Sequence, residues 1–213
     1  MSRVLSISES MLDILRASVK EKISEKRFGH TLGVEDMAKK MSEIYCPEYV
    51  NHMRAAALLH DVTKEYSYEE QLKILDKFGI LVSEDLRLSP KTIHPITAAA
   101  LIPGTYPDFN DEIIINAVRS HTTGRAGMSL TEKLIFLADL IEDGRKYDFC
   151  IQMRNLFWNK DFENMSERER LRHIDTVMLV TLNLSIKSYV DGGLYINGDT
   201  VRARNYILSE MEK

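Results

Sequence analysis

Apolar side chains in this chain recur every three or four positions, the spacing that places them on one face of a helix. "SISESMLDILRASVKEKIS" carries Leu12, Leu15, Val19 and Ile23 at that spacing, and Ser6 with Glu9 predicts a capping box at its start. "SEKRFGHTLGVEDMAKKMSEIY" puts His30, Val34, Met37, Ala38 and Met41 on one stripe, and "YVNHMRAAALLHD" predicts a third helix. "SYEEQLKILDKFG" opens with Ser67 and Glu70 in capping-box spacing and stops at Gly79. A looser stretch, "ILVSEDLRLSPKTI", leads to "HPITAAALIPG", where His94 is the expected N-cap and Pro95 sits in the first turn.

The second half repeats the pattern. "DEIIINAVRSH" has Ile114, Ala117, Val118 and His121 on one face. "SLTEKLIFLADLIEDG" is boxed by Ser129 and Glu132 and ended by Gly144. "SERERLRHIDTVMLVTLNLSIKSYVDGG" is boxed by Ser166 and Glu169 and stopped by Gly192 and Gly193. The tail "LYINGDTVRARNYILSEMEK" predicts an Asn-Gly turn and one short helix. Strand signals are few, and there is no internal repeat, low-complexity segment or linker. The expectation is an all-α helical bundle forming one domain over residues 1–213, with its core at about residues 20–190 and an extra first helix and the C-terminal tail packed on it.

Composition narrows the function. The 213 residues are 44% apolar and 28% charged, ordinary for a soluble globular chain. A net charge of −4 gives no general attraction to nucleic acid polymers or acidic membranes, so an anionic ligand needs a local basic cluster. Cys46 and Cys150 stand far apart and outside any CxxC pattern, as reduced thiols of a cytoplasmic protein do. The start lacks a signal-peptide core, and no apolar run is long enough for a bilayer.

Against this background the polar residues at the edge of the core stand out. His30, His60, His94 and His121 fall where an apolar stripe meets a helix end, and Asp61 follows His60 directly after "AAALL". Asp139 lies inside "LIFLADLIE", where a carboxylate needs a proton, a cationic partner or a metal. Singly, each histidine is a hydrogen-bonded core residue and Asp139 an arginine partner; together they form the ligand set for iron, manganese, nickel or zinc. Six ligands exceed what one catalytic ion takes while keeping open positions, and they suit two ions sharing the carboxylate of Asp61. His52 lies roughly 12 Å from His60 along the same helix and cannot share that site. His173, among "ERERLRHID", reads as solvated or structural. Arg27, Lys64, Arg119, Arg125 and Arg145, with the hydroxyls of Thr122 and Thr123, suggest a cradle for phosphate oxygens.

"RFGHTLGV", "LLHDVTK", "HP", "SHTTGRAGMSLTEKLIFLAD" and "IEDGR", in this order, resemble the HD-domain superfamily of metal-dependent phosphohydrolases, and within it the YqeK family. The likeness covers about residues 20–190, with "NGDTVRARNYIL" similar to the family's ending. It implies an all-α HD fold, a di-iron centre, and symmetrical hydrolysis of diadenosine tetraphosphate to two ADP; the ligand types themselves also admit manganese or another transition metal. By the same resemblance His30, His60, Asp61 and Asp139 match the core ligands, and His94 and His121 the extra histidines of two-metal members, which also border the substrate. Lys64, Thr122, Thr123 and Arg145 match the nucleotide site, with Asp61, Lys64 and Arg145 catalytic; Arg27, Thr200 and Asn205 are carried over on less of the motif. The expected partners are a dinucleoside polyphosphate and an ADP- or GDP-type product, and a homodimer is compatible with the sequence. The alternatives are another HD-type nucleotide phosphohydrolase or phosphodiesterase, a di-iron oxygenase, and a non-catalytic, metal-containing nucleotide-binding regulatory module.

Overall fold

Serine, aspartate and asparagine caps start most of the helices. The computed structural model describes residues 5–212; residues 1–4 and 213, which the one-domain expectation includes, lie outside the described residues. The described residues form α1 (Glu9–Lys20), α2 (Glu25–Tyr45), α3 (Val50–Leu59), α4 (Tyr68–Lys77), α5 (Glu84–Leu88), α6 (His94–Thr105), α7 (Glu112–Ser120), α8 (Leu130–Ile141), α9 (Asp148–Trp158), α10 (Glu167–Asp191) and α11 (Gly198–Met211), with no strand among them. The chain is all-α. No described helix is long and apolar enough to cross a membrane.

The boxes at Ser67–Glu70, Ser129–Glu132 and Ser166–Glu169 all close, each cap contributing ~1 kcal/mol. The box expected at Ser6 and Glu9 does not form. Ser8 is the N-cap of α1 and accepts from the Met11 N–H, which makes Glu9 the first helical residue and too early to reach back. His94 is the first residue of α6 rather than its N-cap, a place taken by Ile93. The Asn-Gly pair in the tail is a helix start and not a free turn: Asn197 accepts from the Asp199 N–H at 2.9 Å, and α11 then runs for 14 residues. Asparagine serves both uses, so the dipeptide alone does not separate them. α9 had no signal because its N-cap, Tyr147, makes no side-chain bond and its buried face is only Cys150, Met153 and Phe157.

α3 lies at the centre, against α1, α2, α7 and α8. Every residue from His52 to Leu59 is buried, and the run Ala55, Ala56, Ala57 keeps side-chain bulk low where several helices meet. Burying Leu58 and Leu59 stabilises by about 1.5–3 kcal/mol each. Leu12, Leu15 and Val19 of α1 and Ala203 and Ile207 of α11 join the same apolar cluster. α1 is also tied by charge: Glu35 of α2 accepts from Arg16 at 2.8 and 2.6 Å and from Arg54 of α3 at 3.1 Å. A smaller cluster of Leu75, Leu86 and Ile93 supports the start of α6. His173 is buried and bonds the Phe157 carbonyl at 2.9 Å, so it is structural and not solvated.

Candidate metal centre

Five helix segments deliver the polar residues to one place. His30 projects from the second turn of α2. His60 is the C-cap of α3, and Asp61 follows in the turn, so the buried helix fixes both. His94 opens α6, His121 is the C-cap of α7, and Asp139 lies in the last turn of α8. Helix ends suit this purpose because side chains there can converge without crossing a packed face.

Asp61 sits in the middle. Its Oδ2 lies 3.4 Å from His60 Nε2 and 4.0 Å from His30 Nε2, and its Oδ1 lies 3.1 Å from His94 Nε2 and 3.5 Å from His121 Nε2. Asp139 Oδ1 is 3.0 Å from His30 Nε2 and 3.9 Å from His60 Nε2. Each oxygen of Asp61 therefore addresses a different histidine pair, and Asp139 faces only the first.

The four imidazoles are oriented from behind. His60 Nδ1 bonds the Ala57 carbonyl at 2.6 Å, His94 Nδ1 the Lys91 carbonyl at 2.9 Å, and His121 Nδ1 the Val118 carbonyl at 2.7 Å. His30 Nδ1 donates to Glu142 Oε1 at 3.2 Å. A carbonyl or carboxylate accepts only from an N–H, so in the neutral rings every Nε2 carries a lone pair directed at the centre. His30 Nε2, His60 Nε2 and Asp61 Oδ1 are buried and have no hydrogen-bond partner. Leaving such atoms unpaired costs about 1–3 kcal/mol each, which a cation would offset. Ligand atoms about 2.1 Å from a shared ion lie roughly 3–4 Å apart, and these do. Two triads have mutually close donor atoms, His30–His60–Asp139 and His60–Asp61–His121. The residues fit divalent metal.

Electrostatics at Asp61, Asp139 and His94 agree with that fit. Burial disfavours the charge on Asp61, but the surrounding imidazoles of His60, His121 and His94 outweigh it and hold its carboxyl well below the usual range. Burial likewise opposes ionisation of Asp139, yet His30 and the Arg145 guanidinium, 2.6 Å away, keep it ionised. Burial lowers His94 to about 4, leaving a neutral ligand at pH 7. His30 runs the other way: Asp139 and Glu142 outweigh its burial and raise it to about 8, so it gives up a proton when it ligates a metal.

Around the centre, Arg27 Nη1 pairs with Asp61 Oδ2 at 2.8 Å, Lys64 Nζ lies 3.0 Å from His94 Nε2, and Thr122 Oγ1 lies 3.3 Å from the same nitrogen. Burial lowers the Lys64 ammonium while Asp61 and Asp139 oppose the shift. Thr123 is turned to its own loop, bonding the Gly124 carbonyl, and Asn205 is exposed on α11. Arg119 is exposed, and both arms of the Arg125 fork go to Glu132, so neither faces the centre. A cavity of about 610 Å³ opens from Lys64, His121 and Asp139. A smaller one of about 260 Å³ adjoins it and includes Thr123 and Thr200.

Sequence reasoning passed over Glu142. This buried carboxylate also accepts from the Gly144 N–H, and Gly33 and Gly144 make room for it. A Cβ at Gly33 would come within 2.6 Å of Glu142 Oε2. The available signal was a glycine one turn after His30 and a glutamate one turn after Asp139.

The HD domain family model matches residues 27–143, which span His30 to Glu142. A Staphylococcus aureus protein named bis(5'-nucleosyl)-tetraphosphatase, symmetrical, is 36% identical over 66% of this chain and 71% of its own. A Bacillus subtilis protein of the same name is 33% identical over 66% of this chain and 74% of its own. A crystal structure from Clostridium acetobutylicum, described as a predicted HD superfamily hydrolase involved in NAD metabolism, superposes with a TM-score of 0.81 at 29% identity, covering 93% of this chain and 97% of that one.

Proposed function

The chain belongs to the HD-domain family of metal-dependent phosphohydrolases, and from that premise we propose that it is a symmetrical bis(5'-nucleosyl)-tetraphosphatase, cleaving diadenosine tetraphosphate to two ADP. The observation that carries this reading is the convergence of four histidines and two aspartates, among which His30 Nε2, His60 Nε2 and Asp61 Oδ1 are buried and left unpaired.

His30, His60, Asp61 and Asp139 would hold one ion; His94 and His121, with Asp61, would hold a second. We take iron as the native metal, with manganese as its replacement, since imidazole and carboxylate suit both. When bound, such ions activate water near neutral pH and neutralise charge on phosphoryl oxygens. The protein's own groups do the rest. Asp61 is catalytic as the shared ligand. Lys64 offers a point charge at the cavity entrance and Arg145 a guanidinium fixed by Asp139, both for phosphoryl oxygens. Thr122 supplies a hydroxyl beside His94, and Arg27 a further cation over Asp61. The water oxygen bonds to one of the two central phosphorus atoms, its P–O bond to the oxygen joining the two central phosphorus atoms breaks, that oxygen leaves with the second ADP, and the water's protons pass to solvent or product oxygen.

The two free, buried cysteines suit a cytoplasmic setting, and the shared apolar cluster suits one domain. The test is to purify the protein without oxygen, measure bound metal, and analyse products from diadenosine tetraphosphate. ADP alone is the expected product. ATP with AMP would reject symmetrical cleavage, and metal binding without turnover would favour the regulatory module.

A further inference from the structure

The six ligands of the centre are not held in the same way. His30, His60 and Asp139 stand on α2, α3 and α8, three helices that pack on one another, and α7, which ends at His121, packs on α3 as well. Helix packing therefore fixes the spacing of those four side chains. His94 is different. It opens α6, which packs chiefly on α7 and α4 and not on α3. The N-cap of α6, Ile93, makes no side-chain bond. The bond from His94 Nδ1 to the Lys91 carbonyl turns the ring, but Lys91 belongs to the same segment. That bond sets the orientation of His94 and not its distance from Asp61.

The distance is set from the turn after α3. Thr63 follows Asp61 by two residues and is fully buried, and its hydroxyl donates to the His94 carbonyl at 2.9 Å. Thr97, one turn further along α6, is fully buried too. Its Oγ1 lies 2.8 Å from Thr63 Oγ1 and 3.3 Å from Gln71 Oε1. Gln71, on α4, donates from Nε2 to the Tyr66 carbonyl at 3.2 Å, and the Tyr66 N–H donates to the Thr63 carbonyl at 3.1 Å. A closed ring of buried polar groups thus joins the turn that carries Asp61 to the first turn of α6. Such groups hold their geometry because leaving any one of them unpaired is costly. On the far side of this ring, His94 Nε2 stands 3.1 Å from Asp61 Oδ1.

We propose that Thr63 is a positioning residue for the second ion. Through the His94 carbonyl, its buried hydroxyl sets how far His94 stands from Asp61, and so how tightly that ion is held. The first ion does not depend on it, because helix packing places His30, His60 and Asp139. The proposal rests on the two-ion reading above and not on the identity of the substrate.

The test is titration of the metal-depleted protein with Mn²⁺ against a fluorescent chelator, which resolves successive binding steps. The wild type should take two ions. Thr63→Val removes the hydroxyl and should weaken the second step about tenfold or more, the usual effect of losing a ligand's outer partner, with the first step unchanged. Thr63→Ser keeps the hydroxyl and should restore the second step. Hydrolysis of diadenosine tetraphosphate by Thr63→Val should fall at limiting Mn²⁺ and recover in excess Mn²⁺, a recovery that a damaged fold would not show. Both steps weakened alike, or neither weakened, overturns the role of Thr63. Should Thr63→Val not fold, Thr97→Val takes the second hydroxyl from the same ring and decides by the same two steps. A single ion in the wild type rejects the two-ion reading and the role of Thr63 with it. Two ions, the second selectively weakened by Thr63→Val, without hydrolysis of the dinucleotide leave Thr63 in its role and reject the tetraphosphatase reading.

Discussion

Two clusters of buried charge join α2 to α3, and only one of them is complete. At Glu35 the carboxylate takes both arms of Arg16 and the Nε of Arg54, and Arg54 also pairs with Glu9. Five residues earlier on α2, His30 begins a cluster in which His30 Nε2, His60 Nε2 and Asp61 Oδ1 face one another with no partner. The first network closes with protein groups alone and fastens α1 to the bundle. The second closes only with a cation. Burial and charge are common to both, so neither marks a site; what separates them is whether donors and acceptors balance.

The sharpest way to break this comparison is Asp61→Asn. Losing the shared carboxylate charge should abolish stoichiometric metal binding and lower kcat/KM by at least roughly 10³-fold, ~4 kcal/mol of transition-state stabilisation. Metal analysis and steady-state kinetics read it, with circular dichroism to verify the fold. Intact activity in this variant would sink the assignment of the centre.

Glu35→Ala should act on the other side of the contrast. It strips Arg16 and Arg54 of their common partner, and removing one member of a buried pair costs about 3–5 kcal/mol. The lower figure applies, since Glu9 still pairs with Arg54 and Arg16 is partly exposed. Urea denaturation should show the loss while bound metal per folded chain stays at the wild-type value. Lost metal with unchanged stability would show that the two clusters are not independent.

How much of this could be read in the sequence follows the same division. His30, His60, Asp61, His94, His121 and Asp139 announced themselves because each interrupts an apolar stripe, a local anomaly visible in a few residues. Helices with serine boxes were equally visible, whereas α9 was not, having no capping side chain at Tyr147. Arg125 looked like a phosphate ligand by its neighbours, but its partner Glu132 lies in the first turn of α8, a pairing only the loop's path decides. Glu142 was hidden for a related reason. Its role depends on Gly33 of α2 leaving space for it across more than a hundred residues.

Glu142 supplies the third test. Glu142→Ala removes the acceptor behind His30 Nδ1 and should weaken metal affinity ~10–100-fold, the usual effect of losing a ligand's outer partner. Glu142→Gln keeps an acceptor oxygen and should recover most of the affinity. Competition titration against a metal chelator distinguishes the two. Equal, wild-type affinity in both variants would mean that packing alone orients His30.

The smallest effect is expected at His52, which sharpens the comparison from outside. Its Nε2 is also buried and unpartnered, yet no other ligand atom converges on it; its ring meets the edge of Tyr49 at 5.6 Å between centroids. Burial lowers its pKa, with Asp111 opposing. Between that lowered value and the unfolded value of about 6.5, the unfolded chain binds more protons than the folded one, so stability rises with pH there and is lost as pH falls. At pH 8 both states are neutral and the group contributes nothing. His52→Gln should therefore leave metal content and turnover unchanged and reduce the drop in urea midpoint between pH 8 and pH 5.5. His94 and His173 are also shifted downward, so part of the drop persists in the variant, and the difference between the two proteins isolates His52. Loss of metal in His52→Gln would mean that a single unpaired imbalance, without convergence, is enough to shape the centre.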